Sequence, residues 1–244
     1  MIGTAVITGA SSGIGAATAR HLHAAGFEVV LTARRADRIE ALCTELGERA
    51  RAIVCDVTDP AQVEALAAAV PECSVLVGNA GGAHGLAELA ELNEDHWRTM
   101  WESNVLGLAR TIKAFLPALE ASGDGRIVTV TSVAGHQTYP GGSGYTSAKH
   151  AAAALTDTVR VELLGKPVRV IEVAPGIVET EFSVVRFDGD TDRADQVYEG
   201  LTPLVADDVA DAITWAVTRP AHVTIQRLDI FPRDQATARD YNRS

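Results

Sequence analysis

The stretch Ala5-Val6-Ile7-Thr8-Gly9-Ala10-Ser11-Ser12-Gly13-Ile14-Gly15 opens a helical run from Ala17 to Ala25. A short β-branched strand, a glycine-rich turn and a helix start therefore follow one another directly. Glycines carry no Cβ, so such a turn can bend tightly and bring backbone close to an anion. The helix start adds free N–H donors and a partial positive charge. Gly9, Ser11, Ser12, Gly13, Ile14 and Gly15 thus become candidate contacts for a pyrophosphate. The glycine spacing is G-x-x-x-G-x-G rather than the common G-x-G-x-x-G. On its own it would also suit a tight strand-to-helix turn that binds nothing.

The pattern repeats along the chain. Six further strand candidates are Val29–Thr32, Ala52–Cys55, Val75–Val77, Ile127–Val130, Val168–Val173 and Leu228–Ile230. Most are nearly continuous apolar runs, as expected of parallel strands covered on both faces. Helical stretches rich in Ala, Leu, Glu and Arg lie between them. Asp59-Pro60 reads as a helix start, and Asn93 as the cap of a long helix carrying Trp97, Trp101 and Val105. The alternation predicts an α/β fold, a Rossmann-like doubly wound parallel sheet of about seven strands with helices on both faces. Ligands of such sheets bind beyond the carboxyl ends of the strands.

Bulk composition narrows the function. With 244 residues, 47% hydrophobic, and no linker or repeat, residues 1–244 are expected to form a single domain. A net charge of −11 argues against a nucleic-acid partner and against an anionic membrane surface. Cys43, Cys55 and Cys73 are odd in number and lack metal-ligand spacing, so they read as reduced thiols, and no metal is expected. Met1 to Thr8 lead straight into a strand, with no targeting segment, and a cytoplasmic enzyme is the expectation.

The end of the second strand bears on the cofactor. A carboxylate there would select NAD through its ribose. Ala33, Arg34 and Arg35 stand there instead, and a guanidinium matches a phosphate bidentately. This points to NADP, against the alternative of two solvated arginines opening a surface helix.

Ser132 follows the fifth strand, at the edge where ligands bind. Tyr145 and Lys149 are i and i+4 on an alanine-rich helix and share a face. A tyrosine needs its pKa lowered by about three units to act as a base at neutral pH, or about 4 kcal/mol. An ammonium about 4 Å away at moderate dielectric would supply that. Tyr145 is then the acid/base, with Ser132 holding the substrate oxygen. His136 is read as a solvated loop histidine.

These marks, with Asn79-Ala80-Gly81, Asn104 and Pro175-Gly176, make the whole chain resemble the short-chain dehydrogenases/reductases. The resemblance implies an oxidoreductase moving a hydride between NADP(H) and a carbonyl or secondary alcohol. It implies a catalytic tetrad of Asn104, Ser132, Tyr145 and Lys149, with Lys149 also at the nicotinamide ribose and Asn104 holding a relay water. Asp56 and Val57 would meet the adenine, and Asn79, Ala80 and Gly81 the underside of the cofactor. The run Pro175, Gly176, Ile177, Val178 and Thr180 would meet the nicotinamide. Gly78 departs from the family's usual Asn without removing a catalytic group.

The polar stretch from Ile177 to Pro203 is expected to be a substrate lid. Glu179 to Phe187 and the tail from Arg219 to Pro232 resemble the family's NADP-dependent 3-hydroxy acid dehydrogenase branch. Arg186, flanked by Val184, Val185 and Phe187 as water-excluding groups, is the candidate for a substrate carboxylate. A surface arginine paired with Asp188 or Asp190 is the alternative. Other readings are a reductase of a larger ketone, 3-oxoacyl thioester or secondary metabolite, and, from another class, a non-catalytic NADP sensor. By resemblance, the helices near Asn104–Glu120 and Tyr145–Leu164 would pair in a homotetramer.

Overall fold

The computed structural model describes residues 2–243. Strands and helices alternate: β1 (Thr4–Thr8), α1 (Gly13–Ala24), β2 (Glu28–Ala33), α2 (Ala36–Leu46), β3 (Ala50–Val54), α3 (Pro60–Ala69) and β4 (Val75–Gly78). After them come α4 (Glu94–Trp101), α5 (Gly107–Ala121), β5 (Gly125–Val130), α6 (Ser143–Glu162) and β6 (Val168–Pro175). The last part holds β7 (Val178–Glu179), α7 (Phe182–Arg186), α8 (Thr191–Gln196), β8 (Leu204–Val205), α9 (Ala206–Val217) and β9 (Arg227–Ile230).

Seven strands form one parallel sheet in the order β3-β2-β1-β4-β5-β6-β9. All seven expected strands are present, most of them longer by a residue or two. Alternate side chains of each apolar run serve opposite cores. Ala5 and Ile7 of β1 pack with Leu22 of α1, Ile39 of α2 and Ile213 of α9. Val6, between them, packs with Leu66 of α3, Phe115 of α5 and Val159 of α6 on the other face. Burial on both faces explains why these strands read as unbroken apolar runs rather than alternating ones.

Both helix starts read from sequence are seen. The Asp59 carboxylate accepts from the N–H groups of Ala61 and Gln62, and the Asn93 side chain accepts from those of Asp95 and His96. The helix carrying Trp97 continues through a π turn at Glu102–Leu106 into α5. Turns of this kind insert a residue and re-aim a side chain, and Asn104 lies in this one.

The expected lid is more ordered than its sequence suggests. It holds two short helices framed by the β7–β8 pair. Helices of five and six residues span fewer than two turns, so no 3.6-residue periodicity can show in them. Chain order reverses between β1 and β4, which opens a crevice at the carboxyl end of the sheet.

Candidate active site

A cleft of about 800 Å³ runs along that carboxyl edge, from Arg34 and Arg35 at one end to Tyr145 and Arg186 at the other. Of the residues expected from sequence to form the site, all but Gly15 and Asn104 line it.

At the phosphate end, β1 ends in Gly9 at φ +67° and α1 begins with Gly13 at φ +51°. Both lie in the left-handed region that favours glycine. A Cβ on Gly15 would stand 2.4 Å from the Gly9 carbonyl oxygen and 2.6 Å from Asn79 Nδ2. Gly15 therefore lets the helix approach the turn, and its place is beneath the cleft rather than in its lining. The Ser12 side chain does not cap α1, which leaves first-turn N–H groups free for an anion.

The two arginines differ. Arg34 is exposed and, among the described residues, makes no side-chain hydrogen bond or ion pair. Arg35 donates through Nε and Nη2 to the Ser11 hydroxyl at 3.1 and 2.8 Å, and through Nη2 to the Ser12 hydroxyl at 2.8 Å. Its Nη1 reaches the Glu181 carboxylate at 2.9 Å. Arg38 holds the other oxygen of Glu181. These guanidiniums hold the Glu181 carboxyl down at about 2. Nothing in the local sequence announced Glu181.

At the chemical end, β5 delivers Ser132 and the first turns of α6 deliver Tyr145 and Lys149. Ser132 accepts from the Ala134 N–H at 3.1 Å and donates to the Pro175 carbonyl at 3.4 Å. Lys149 donates to the Val130 carbonyl at 3.1 Å, and its Nζ lies 5.8 Å from the centre of the Tyr145 ring. The structure corrects the expected pairing here. Burial raises the Tyr145 phenol well above its ordinary value and Tyr139 adds to the rise, while Ser132 and Arg186 oppose it. Lys149 is not among those neighbours. Burial brings the Lys149 ammonium down to about 8, with Glu172 opposing.

Asn104 is buried behind Gly81. Its Nδ2 donates to the carbonyls of Gly82 and Met100 at 2.9 and 2.8 Å, and its Oδ1 has no partner. A Cβ on Gly81 would meet that oxygen at 2.4 Å. A buried unpaired acceptor beside the cleft suits a donor brought by a bound group or water. The glycine turn, the uncapped helix start and the free Arg34 together fit a dinucleotide phosphate.

Arg186 sits inside the site. Its Nε donates to the Gly85 carbonyl at 3.0 Å and its Nη2 to the Tyr139 hydroxyl at 3.2 Å. The guanidinium lies 5.6 Å from the Tyr145 ring centre and makes no ion pair among the described residues. Asp188 faces His84 instead, at 3.9 Å. Arg186 is flanked by the rings of Tyr139 and Tyr145; of its chain neighbours, Val184 is half-buried, Val185 is exposed and Phe187 packs on Arg193.

His136 is an exposed turn residue, as its sequence position suggests, but its ring is engaged from below. Its Nε2 meets the buried Glu172 carboxylate at 2.7 Å, where the Thr131 hydroxyl also donates at 2.6 Å. The tail contributes residues that the sequence did not single out. Gln235 Oε1 accepts from the Ile177 N–H at 2.8 Å and braces the turn after β6, while Arg239 stacks 4.4 Å from the Tyr139 ring centre at the cleft rim. No metal-binding cluster of His, Cys, Asp and Glu occurs among the described residues.

The chain matches the family model for short chain dehydrogenase over residues 3–190. It is 62% identical to an uncharacterized oxidoreductase of Mycobacterium tuberculosis, over 96% of this chain and 92% of that protein. It is 40% identical to serine 3-dehydrogenase of Agrobacterium fabrum, over 98% and 97% of the two chains. Among solved structures, the closed form of serine dehydrogenase complexed with NADP+ is similar at TM-score 0.94 and 34% identity, covering 96% of this chain and 97% of that one.

Proposed function

This chain belongs to the short-chain dehydrogenases, and we propose that within that family it interconverts a short 3-hydroxy acid and its 3-oxo counterpart with NADP(H). The class of reaction is an NADP-dependent oxidation of a CH–OH group or the reverse reduction. The observation that carries the finer reading is Arg186, a buried guanidinium beside Tyr145 without a carboxylate of its own. A substrate carboxylate would complete its hydrogen bonding in a water-poor pocket. The likeness to a serine 3-dehydrogenase supports the same substrate class.

The glycine turn from Gly9 to Gly15, Arg34 and Lys149 would hold NADP(H), which would supply or take the hydride. Ser132 holds the substrate oxygen. Tyr145 keeps its proton because its phenol is buried, so it gives that proton to a carbonyl oxygen during reduction. It takes a proton during oxidation only when positive charge gathers around it. Lys149, held at the Val130 carbonyl, would orient the ribose and brings a positive charge to 5.8 Å from the centre of the Tyr145 ring. Asn104 steadies the backbone behind Gly81 and holds a relay water.

The same reading takes the whole chain as one cytoplasmic NADP-binding unit, in keeping with three free cysteines. It assembles as a homotetramer. Val161 and Leu164, at the end of α6, are 74% and 89% exposed and would be covered by a second copy. Light scattering at micromolar concentration tests this, and a monomer would refute it.

The direct test follows NADPH absorbance with a panel of carbonyl compounds, using Tyr145→Phe as control. Turnover of 3-oxo acids that falls by about a hundredfold or more in the variant, with cofactor binding kept, is expected. Turnover confined to bulky neutral ketones would overturn the substrate reading. No turnover with any carbonyl would favour a sensor.

A further inference from the structure

The residues that read the cofactor's phosphate already hold an anion of the protein's own. Glu181 lies near the start of the lid, directly after Thr180, and its two oxygens bridge Arg35 and Arg38. Thr180 lies over the glycine-rich turn, where a Cβ on Gly13 would touch its Cγ2 at 3.2 Å. The lid thus crosses the phosphate end of the cleft at the point where α2 presents its arginines. Five residues beyond Glu181, the same lid reaches the substrate end through Arg186, with the Gly85 N–H donating to the Arg186 carbonyl at 2.9 Å.

Arg35 has little donor capacity left. Its Nε and Nη2 are engaged by Ser11 and Ser12, and its Nη1 by Glu181. A 2′-phosphate can meet Arg34 freely, but Arg35 offers it a single unengaged N–H, on Nη1 beside Glu181, and a bidentate contact there must take over bonds now made to the hydroxyls or to Glu181. A carboxylate left beside the phosphate would repel it. A ribose hydroxyl carries no charge and gains nothing from Glu181 moving away.

We propose that Glu181 is a specificity-determining latch: an internal anion on Arg35 and Arg38 that a 2′-phosphate must displace, so that recognition of NADP loosens the phosphate-end anchor of the substrate lid. The inference rests on the NADP reading above and extends it, because it ties the choice of cofactor to lid movement. A phosphorylated cofactor then spends part of its binding on releasing Glu181. An unphosphorylated one leaves the latch closed.

The test measures binding of 2′,5′-ADP and of 5′-AMP to the natural full chain and to Glu181→Gln by calorimetry, with amide exchange followed over residues 178–187. Removing one like charge within a few ångströms of a phosphate should tighten 2′,5′-ADP by about tenfold at low salt and leave 5′-AMP unchanged. In the natural protein, 2′,5′-ADP should speed exchange across residues 178–187, and 5′-AMP should not. Weaker or equal binding of 2′,5′-ADP by the variant would overturn the latch, since Glu181 would then be orienting Arg35 for the phosphate. Unchanged exchange on 2′,5′-ADP binding would overturn the coupling to the lid. If the natural protein binds 5′-AMP as tightly as 2′,5′-ADP, the NADP reading itself fails, whatever the variant does.

Discussion

Replacing Lys149 by methionine keeps all but the last atom of the side chain's reach and removes its charge, and the depth of that charge sets the effect on stability. In the fold the ammonium titrates at about 8 rather than 10.5. A basic group with a lowered folded value holds its proton less tightly folded than unfolded. Its charge therefore costs stability in full below the folded value, and the cost is relieved as pH rises from about 8 toward 10.5. At neutral pH the interval corresponds to about 3 kcal/mol. Methionine removes this cost but leaves the Val130 carbonyl without its donor. An unpaired buried acceptor costs about 1–3 kcal/mol. The variant should thus be inactive yet as stable as the natural protein at pH 7, or more stable by up to about 2 kcal/mol. The lost hydrogen bond does not change with pH, whereas the cost of the ammonium falls by about 2 kcal/mol between pH 7 and pH 9.5. Burial keeps Tyr145 protonated over that range, so it does not contribute to the difference. Urea unfolding of both proteins at the two pH values should show the variant's relative stability falling by about 2 kcal/mol at the upper one. A difference that stays constant with pH would refute the assignment of Lys149 as a charge held at a desolvation cost.

Arg186→Leu should lower kcat/KM for a carboxylate-bearing substrate by about ten- to a hundredfold, for the loss of roughly 1.5–3 kcal/mol, and spare an uncharged ketone. Equal losses on both would mean that Arg186 only docks the lid on Gly85 and Tyr139. Arg34→Ala should weaken NADPH and leave NADH nearly untouched in steady-state kinetics; equal use of both cofactors by the natural protein would contradict the phosphate reading. Gly15→Ala should destabilise the fold by about 1–3 kcal/mol, because its Cβ overlaps the Gly9 carbonyl, and should impair NADP binding. Natural-like melting and cofactor titration would mean that α1 can shift outward at no cost.

The parts legible in the sequence are those with a local physical signature. Each buried strand had to be apolar on both faces, so Val29–Thr32 or Val75–Val77 could be read without knowing what covers them. The turn from Gly9 to Gly15 requires glycine at Gly9, Gly13 and Gly15, and the i, i+4 spacing of Tyr145 and Lys149 follows from helix geometry alone. The short lid helices had no such signature, because Phe182–Arg186 is too brief for a period to form. Tertiary structure alone decided which charges meet. Glu181 reaches Arg35 across 146 residues, and Glu172 reaches His136 because β6 lies beside β5. The same holds for acidity. Sequence spacing brings Lys149 to the face of Tyr145, but whether the ammonium lowers the phenol depends on distance and burial. Packing settled both, by turning Nζ toward the Val130 carbonyl and sealing Tyr145 from water. Backbone direction and apolar burial are properties of neighbouring residues, whereas desolvation and ion pairing arise only where distant segments close on one another.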